Sequence, residues 1–296
     1  MVNKRFYNES SAHRLGWEPI WFGADGFGSD LVKKVIEYQK SNGLTADGLV
    51  GPTTYRRIYT EVEAKLELLR MAAQSEDDSY IICAGARVPI EWDKTVALQD
   101  EGNMALPRKC YRVAPPDRKP SLIVTHWDAA LSAKSCKNIL ERRGISSHFV
   151  IDNDGTIYQL VDTNNIAWHA KGTNNDSIGI DFSNAYYTKY QRVYRKRGFG
   201  NRPILDSKIH GTTTGDHLGY YPVQLEAYKA LVKTLCERYD IPLECPTKDG
   251  GLLTGVHGPS QKGKFKGVIC HYHLNRKKID CAGLELDVLL NDIKTT

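Results

Sequence analysis

Cys270-His271-Tyr272-His273-Leu274-Asn275-Arg276-Lys277-Lys278-Ile279-Asp280-Cys281-Ala282-Gly283 and, far upstream, Ser121-Leu122-Ile123-Val124-Thr125-His126 decide how this chain reads. In each, an apolar β-like run ends in a histidine. The later histidine is followed ten residues on by a cysteine. Two imidazoles and one thiolate make three protein ligands, the number a hydrolytic zinc site uses when its fourth position holds water.

Working outward from these runs, residues 121 onward read as α/β. Leu122 to His126 is a short buried strand, Ala133 to Arg143 a helix stopped by Gly144, and Ser177 to Ser183 another strand. Ser147 to Asp152 and Thr156 to Val161 alternate around Asn153-Asp154-Gly155, a strong hairpin signal. Pro222 to Tyr239 is a long amphipathic helix with Leu225, Tyr228, Leu231, Val232 and Leu235 inward, and Gly267 to His271 is a last strand. Residues 186–219 are polar and rich in Gly and Arg, and read as a long surface insertion.

The front of the chain is different. Residues 29–42 form an amphipathic helix with Ser29 as N-cap, Leu31, Val35 and Tyr38 along one face, and Gly43 as the stop. A loop on Asp47-Gly48 leads through Gly51-Pro52 into a second helix whose apolar face runs Tyr55, Ile58, Val62, Leu66 and Leu69. The later part of that helix is expected to leave the small domain as a connector. Ser75 to Asp78 is a polar boundary, and residues 79–113 hold short extended pieces with no functional reading.

Bulk properties exclude several classes. The 296 residues carry a formal charge of +5, too mild to argue for nucleic acid and in keeping with an anionic polymer. No basic run alternates with aromatics as a single-strand groove requires. Seven cysteines, an odd number at irregular spacing, cannot make a complete disulfide framework, which favours a reduced compartment. The N-terminus has no apolar signal region and no run is long enough to span a membrane, so membrane insertion is not expected and a monomer is the default.

Val35, Gln39 and Gly43-Leu44, with Asp47-Gly48-Leu49-Val50-Gly51-Pro52-Thr53-Thr54, resemble the type 1 peptidoglycan-binding domain over roughly residues 12–62. Downstream, the segments Val124-Thr125-His126, Ser147-His148-Phe149-Val150-Ile151-Asp152-Asn153-Asp154-Gly155-Thr156-Ile157-Tyr158, Ala167-Trp168-His169-Ala170-Lys171-Gly172, Ser177-Ile178-Gly179-Ile180-Asp181 and Asp280-Cys281-Ala282-Gly283 resemble, in order, the type 2 N-acetylmuramoyl-L-alanine amidase family, which includes peptidoglycan recognition proteins. The resemblance implies an α/β fold with a mixed central β-sheet flanked by helices, behind a small all-α three-helix binding domain. The expected domains are 1–73 (binding domain, core 12–62, with its connecting helix), 74–118 (linker or extension) and 119–296 (zinc amidase).

By position, the resemblance puts Zn2+ on His126, His271 and Cys281. His273 competes with His271, and Asp280 competes with Cys281, since some members use an aspartate before Pro-Gly and here Cys281-Ala282-Gly283 lacks the proline. Asp181 stands in place of a glutamate and is the candidate general base. Lys278 resembles a lysine that contacts the oxyanion, whose usual place is two residues before the ligand; Lys277 is the weaker choice. Ser147 stands where relatives often carry a tyrosine. His148 and His169 are candidates for lining the substrate cleft, or for supporting roles behind it.

The implied function is cleavage of the amide between N-acetylmuramic acid and L-alanine of bacterial peptidoglycan by zinc-activated water. A phage endolysin, made in the host cytoplasm and released through the membrane to the cell wall, fits the modular order. The alternatives are a non-catalytic peptidoglycan-binding protein and a hydrolase with Cys281 as nucleophile, served by His273 or His126.

Overall fold

A computed structural model describes residues 3–62, 79–115 and 118–295. They belong to two compact units, Met1–Asp77 and Asp78–Thr296. The expected connecting helix beyond residue 62 and the boundary at 75–78 lie outside the described residues.

In the first unit, α1 (Lys4–Leu15) is followed by a 3-10 turn (Pro19–Phe22), then α2 (Ser29–Ser41), then α3, which begins at residue 52. α2 starts one residue earlier than expected, with Gly28 rather than Ser29 in the N-cap place. Leu31 and Val35 pack with Trp17, Ala24 and Val50. The turn between α2 and α3 is clamped by two buried amides. Gln39 Nε2 reaches Asp47 Oδ1, Leu49 O and Thr54 Oγ1, while its Oε1 accepts from Gly48 N. Asn8 donates to Gly48 O and accepts from Val50 N. Gly48 lies at φ +73°, and a Cβ there would stand 2.9 Å from Val32, so the turn requires glycine.

The second unit opens with the hairpin β1 (Tyr80–Cys83) and β2 (Ala86–Pro89), then β3 (Thr95–Val96) and β4 (Tyr111–Arg112). β5 (Leu122–Trp127), α4 (Ala133–Arg143), β6 (Phe149–Ile151), β7 (Ile157–Gln159), β8 (Ile166–Ala167) and β9 (Ser177–Phe182) follow. Next come α5 (Gln191–Lys196), β10 (Ile204–Ile209), β11 (Thr212–Leu218) and α6 (Pro222–Tyr239). The chain closes with β12 (Thr247–Lys248), β13 (Gly251–Leu252), α7 (Gly258–Gln261), β14 (Gly267–Cys270) and α8 (Leu286–Thr295).

The central sheet has the order β14-β5-β9-β6-β7-β3. β14, β5, β9 and β6 run parallel, β7 is antiparallel to β6, and β3 adds parallel to β7. The sheet is mixed and flanked by helices, as the sequence implied. Residues 79–113, which carried no functional reading, contribute the edge strand β3. β5 and β9 are buried along their whole length, the pattern of parallel strands covered on both faces.

The pleat sorts the two faces. Ile123, Phe149, Ile151, Ile178, Ile180 and Phe182 pack with Tyr228, Leu231 and Leu235 of α6 and with α8. Val150 packs with Ala133 and Cys136 of α4 on the opposite face. His126 and Asp181 share the α4 face, because alternate residues of a strand point the same way.

Residues 186–219 are an insertion with structure of its own. β10 and β11 form an antiparallel hairpin turning at His210 and Gly211, both at positive φ, the signature of a type I′ turn. Arg202 anchors the insertion. Its guanidinium lies between the rings of Tyr194 and Tyr221, 4.6 and 4.2 Å from their centroids. It donates to Gly219 O, Gln224 Oε1, Asn153 Oδ1 and Ser183 O.

Candidate metal centre

β5 and β14 are neighbours in register, and each delivers a histidine at its C-terminal end. His126 Nδ1 and His271 Nδ1 lie 3.0 Å apart. Asp280 Oδ2 lies 3.2 Å from the first and 2.9 Å from the second. Among the described residues these three form the one group of His, Cys, Asp or Glu side chains close enough to hold a metal ion.

The triangle cannot be satisfied by protons alone. A proton on each Nδ1 serves Asp280 twice but sets two N–H groups against each other at 3.0 Å. A proton on one Nδ1 only leaves the other ring's lone pair facing a carboxylate oxygen. A cation in the middle turns all three lone pairs to use. Zinc at about 2.0–2.2 Å from each donor in tetrahedral geometry spaces its donors about 3.3 Å apart, close to what is seen. Two imidazoles and a carboxylate are also an ordinary donor set for that ion.

The electrostatics agree with a cation site. Burial, then the neighbouring His271, push His126 down to about 4, so the ring is neutral at physiological pH and its contact with Asp280 is not an ion pair. Burial raises Asp280, but its hydrogen bonds to His126 and His271 outweigh that and hold the carboxyl well below the usual carboxylate range.

The third ligand differs from the expectation. Cys281 does not join the histidines; it is fully buried in the core on the α6 side, beside Cys270, and burial pushes its thiol well above the ordinary value. In this irregular segment the carboxylate of Asp280 faces the histidines and the apolar thiol of Cys281 faces the core. A buried, protonated thiol cannot serve as a nucleophile either. His273 does not compete with His271, because its Nδ1 accepts from Cys270 N and its Nε2 donates to Leu253 O. With Asp280 in the triangle, Lys278 falls two residues before it, the place that the resemblance assigns to the lysine.

A cleft of about 330 Å³ opens on the triangle. Asp181 and Lys278 line it, as do Trp127, Asp128, Arg143 and Trp168. Asp181 pairs across the sheet with His126. Its carboxyl is pushed up to about 8 by burial, then by Asp128 and Asp280. Lys277 does not line the cleft.

Asp128 is a cleft residue that sequence reasoning missed. It accepts from Ala130 N, Asn184 N and Ser183 Oγ, yet burial still raises it to about 7. Its only signal was its place two residues past His126, at the end of the same strand.

His148 does not reach the cleft. It is fully buried, with Nδ1 accepting from Gly179 N and Nε2 donating to Asn165 O, so its role is structural rather than substrate-binding. His169 does line the cleft, but both ring nitrogens are engaged, by His126 Nε2 at 3.0 Å and Ser177 Oγ at 3.1 Å. Ser147, in place of the relatives' tyrosine, is buried with its Oγ against Gly179 and does not line the cleft.

The segment carrying Lys278 and Asp280 leans on the insertion. His210 Nε2 donates to Lys278 O at 2.9 Å, and Tyr220 Oη donates to Ala282 O at 3.1 Å. Gly283 is pressed against Leu205 and Ser207, and a Cβ there would stand 2.6 Å from Leu205.

Residues 116–261 match the N-acetylmuramoyl-L-alanine amidase family, and residues 14–58 match the type 1 peptidoglycan binding domain. The first match contains His126 and Asp181 and ends before His271. No curated protein matches the chain. Among solved structures, the chain is similar to the N-acetylmuramoyl-L-alanine amidase LysCS, an endolysin from Clostridium intestinale, at 18% identity, covering 72% of this chain and 97% of that one with a TM-score of 0.39. It is also similar to the Ph2119 endolysin from a Thermus scotoductus bacteriophage, at 16% identity over 61% and 88%, TM-score 0.37. A third is the hydrolase AmiA of Staphylococcus aureus, at 13% identity over 62% and 77%, TM-score 0.40. At this level of likeness no residue role transfers.

Proposed function

We propose the following chemistry for a chain whose residues 116–261 belong to the N-acetylmuramoyl-L-alanine amidase family and whose front unit is a peptidoglycan binding domain. The chain is a peptidoglycan amidase, and its cleft is where the amide between N-acetylmuramic acid and L-alanine is cut. His126, His271 and Asp280 are the zinc ligands. When bound, the ion supplies a Lewis acid and a water acidified toward neutrality.

Asp181, buried beside His126, takes the proton of the attacking water and passes it to the leaving amine. A carboxyl raised by burial suits both halves of that task near neutral pH. Lys278 places an ammonium on the rim of the same cleft, where negative charge grows on the carbonyl oxygen. The exposed indole of Trp168 offers a flat apolar wall to the substrate. A wall-binding unit ahead of a wall-cutting unit suits an endolysin, made inside the host and released to the wall at lysis.

The observation that carries the metal reading is the triangle of three donors whose lone pairs only a cation satisfies. Zinc content and release of peptides from purified sacculi, measured on Asp280→Ala and Cys281→Ala, test it. Asp280→Ala is expected to lose the ion and at least about 1,000-fold in rate, the scale on which a hydrolytic metal acts. Cys281→Ala keeps both. The reverse pattern would return the third ligand to the cysteine.

A further inference from the structure

The ring of His169 stands between His126 and Ser177, and the polarity of that line is set from one end. The carbonyl of Thr173 can only accept, and it takes the hydroxyl proton of Ser177 at 2.8 Å. With its one proton spent there, Ser177 Oγ faces His169 Nε2 at 3.1 Å as an acceptor, so Nε2 carries the ring proton. A neutral ring protonated on Nε2 has a bare Nδ1, and that atom lies 3.0 Å from His126 Nε2. His126 therefore keeps its own proton on Nε2 and turns a bare Nδ1 toward His271 and Asp280.

We propose that His169 is a positioning residue for the metal centre, holding His126 in the tautomer that offers Nδ1 as a donor to the ion. The proposal rests on the zinc reading above. It replaces the reading of His169 as a substrate contact.

The place of the ring is built, not incidental. Asn174 Oδ1 accepts from the backbone N–H groups of His169 and Ala170 and so fixes the loop. Gly179 leaves the slot open, since a Cβ there would stand 2.7 Å from His169 Cγ and 2.8 Å from Ser147 Oγ. Ser177, Gly179 and Asp181 alternate along β9 and so share one face. That single face supplies the anchor for the relay, the room for the ring and the carboxyl of the cleft. Gly179 reads as an ordinary strand glycine in the sequence; its use becomes visible only once the ring beside it is known.

The test is the zinc dissociation constant of the full chain, by competition with a chromophoric chelator, for the wild type, His169→Leu, His169→Asn and Ser177→Ala. Asn can set a carbonyl oxygen in the place of Nδ1, whereas Leu fills the slot without an acceptor. His169→Leu is expected to bind zinc about 10- to 100-fold more weakly, the usual cost of losing an outer partner of a metal ligand, and His169→Asn to recover most of that loss. Ser177→Ala weakens binding to a smaller degree. At saturating zinc, KM for a muramoyl-peptide substrate stays within about twofold, because no binding contact is lost.

Wild-type affinity in His169→Leu overturns the proposal, and so does a loss in His169→Asn equal to that in His169→Leu. Should His169→Leu fail to fold, wild-type affinity in Ser177→Ala overturns it alone. A raised KM with unchanged zinc affinity restores the substrate contact instead. A wild type that takes up no zinc is a separate failure, that of the metal reading beneath the proposal.

Discussion

The two sides of the cleft are held by different means. His126 and Asp181 stand on β5 and β9, where each backbone is paired on both sides within the sheet. His271, Lys278 and Asp280 stand on an irregular segment that follows β14 and is steadied by local backbone bonds such as Tyr272 N to Asp280 O, and from outside by His210 Nε2 to Lys278 O, Tyr220 Oη to Ala282 O and the close seat of Gly283. A ladder spreads its support of the backbone over many bonds. A buttressed segment draws more of its support from a few individual side chains. The chemistry is thus divided between a strand platform and a braced segment.

Among substitutions that leave the ion in place, the largest effect should come from the ladder side, where only the functional group is at stake. Asp181→Asn is expected to lower kcat by about 100- to 10,000-fold, the range for removing a proton-transfer group, with zinc content and thermal midpoint unchanged. A loss of zinc in that variant would mean that the carboxyl belongs to the metal site, and the contrast between the two sides would fail there.

On the braced side a substitution far from any functional atom should be felt. Gly283→Val places a side chain where Leu205 already stands, at a φ of +72° that disfavours any residue but glycine. Displacing Asp280 and Lys278 together is expected to cost about 10- to 100-fold in kcat and to weaken zinc binding in parallel. Unchanged zinc affinity with lower kcat would narrow the brace to Lys278 alone. Wild-type values for both would remove the brace from the argument.

The smallest effect bears on both sides at once. His148 under the ladder and His273 under the braced segment are both neutral and buried, pushed down to about 3 and about 4, in each case chiefly by burial. The unfolded chain takes up protons on these rings near 6.5 while the folded chain does not, so stability is present above that pH and is lost as pH falls from about 6.5 toward about 4. The unfolding free energy from urea titrations at fixed ion content should fall by about 1 kcal/mol per ring between pH 6.5 and pH 5.5. A flat profile over that range would show that both rings are charged in the folded state, and half the fall that one of them is. His148→Asn and His273→Asn, compared over the same range, assign the slope to one side or the other.

Much of this could be seen in the chain before its structure. The strands ending in His126 and His271, the hairpin on Asn153-Asp154-Gly155 and the helix Pro222–Tyr239 all declare themselves because burial imposes a period on their residues. The hairpin of β10 and β11 does not, since most of its residues are exposed and its sequence stays polar throughout. α1 was hidden for a related reason: two of its three buried residues, Asn8 and Ser11, are polar and hydrogen-bond to the turn at Gly48 and Val50. The choice between Asp280 and Cys281 was illegible because they sit in a segment without a repeat, where the facing of a side chain depends on the brace and not on a period.

Arg202 bears on what could be cut away from this molecule. Among the described residues no carboxylate pairs with its buried charge, which is shared among two tyrosine rings and four neutral oxygens drawn from the β6–β7 turn, the end of β9, the start of α6 and the end of β11. Excising the stretch from Tyr186 to Gly219 would therefore strip Asn153, Ser183 and Gln224 of a shared donor inside a dry interior, an expensive orphaning of polar groups. An engineer shortening this enzyme to a minimal lytic fragment should trim the hairpin tip and leave the arginine and its two aromatic neighbours in place.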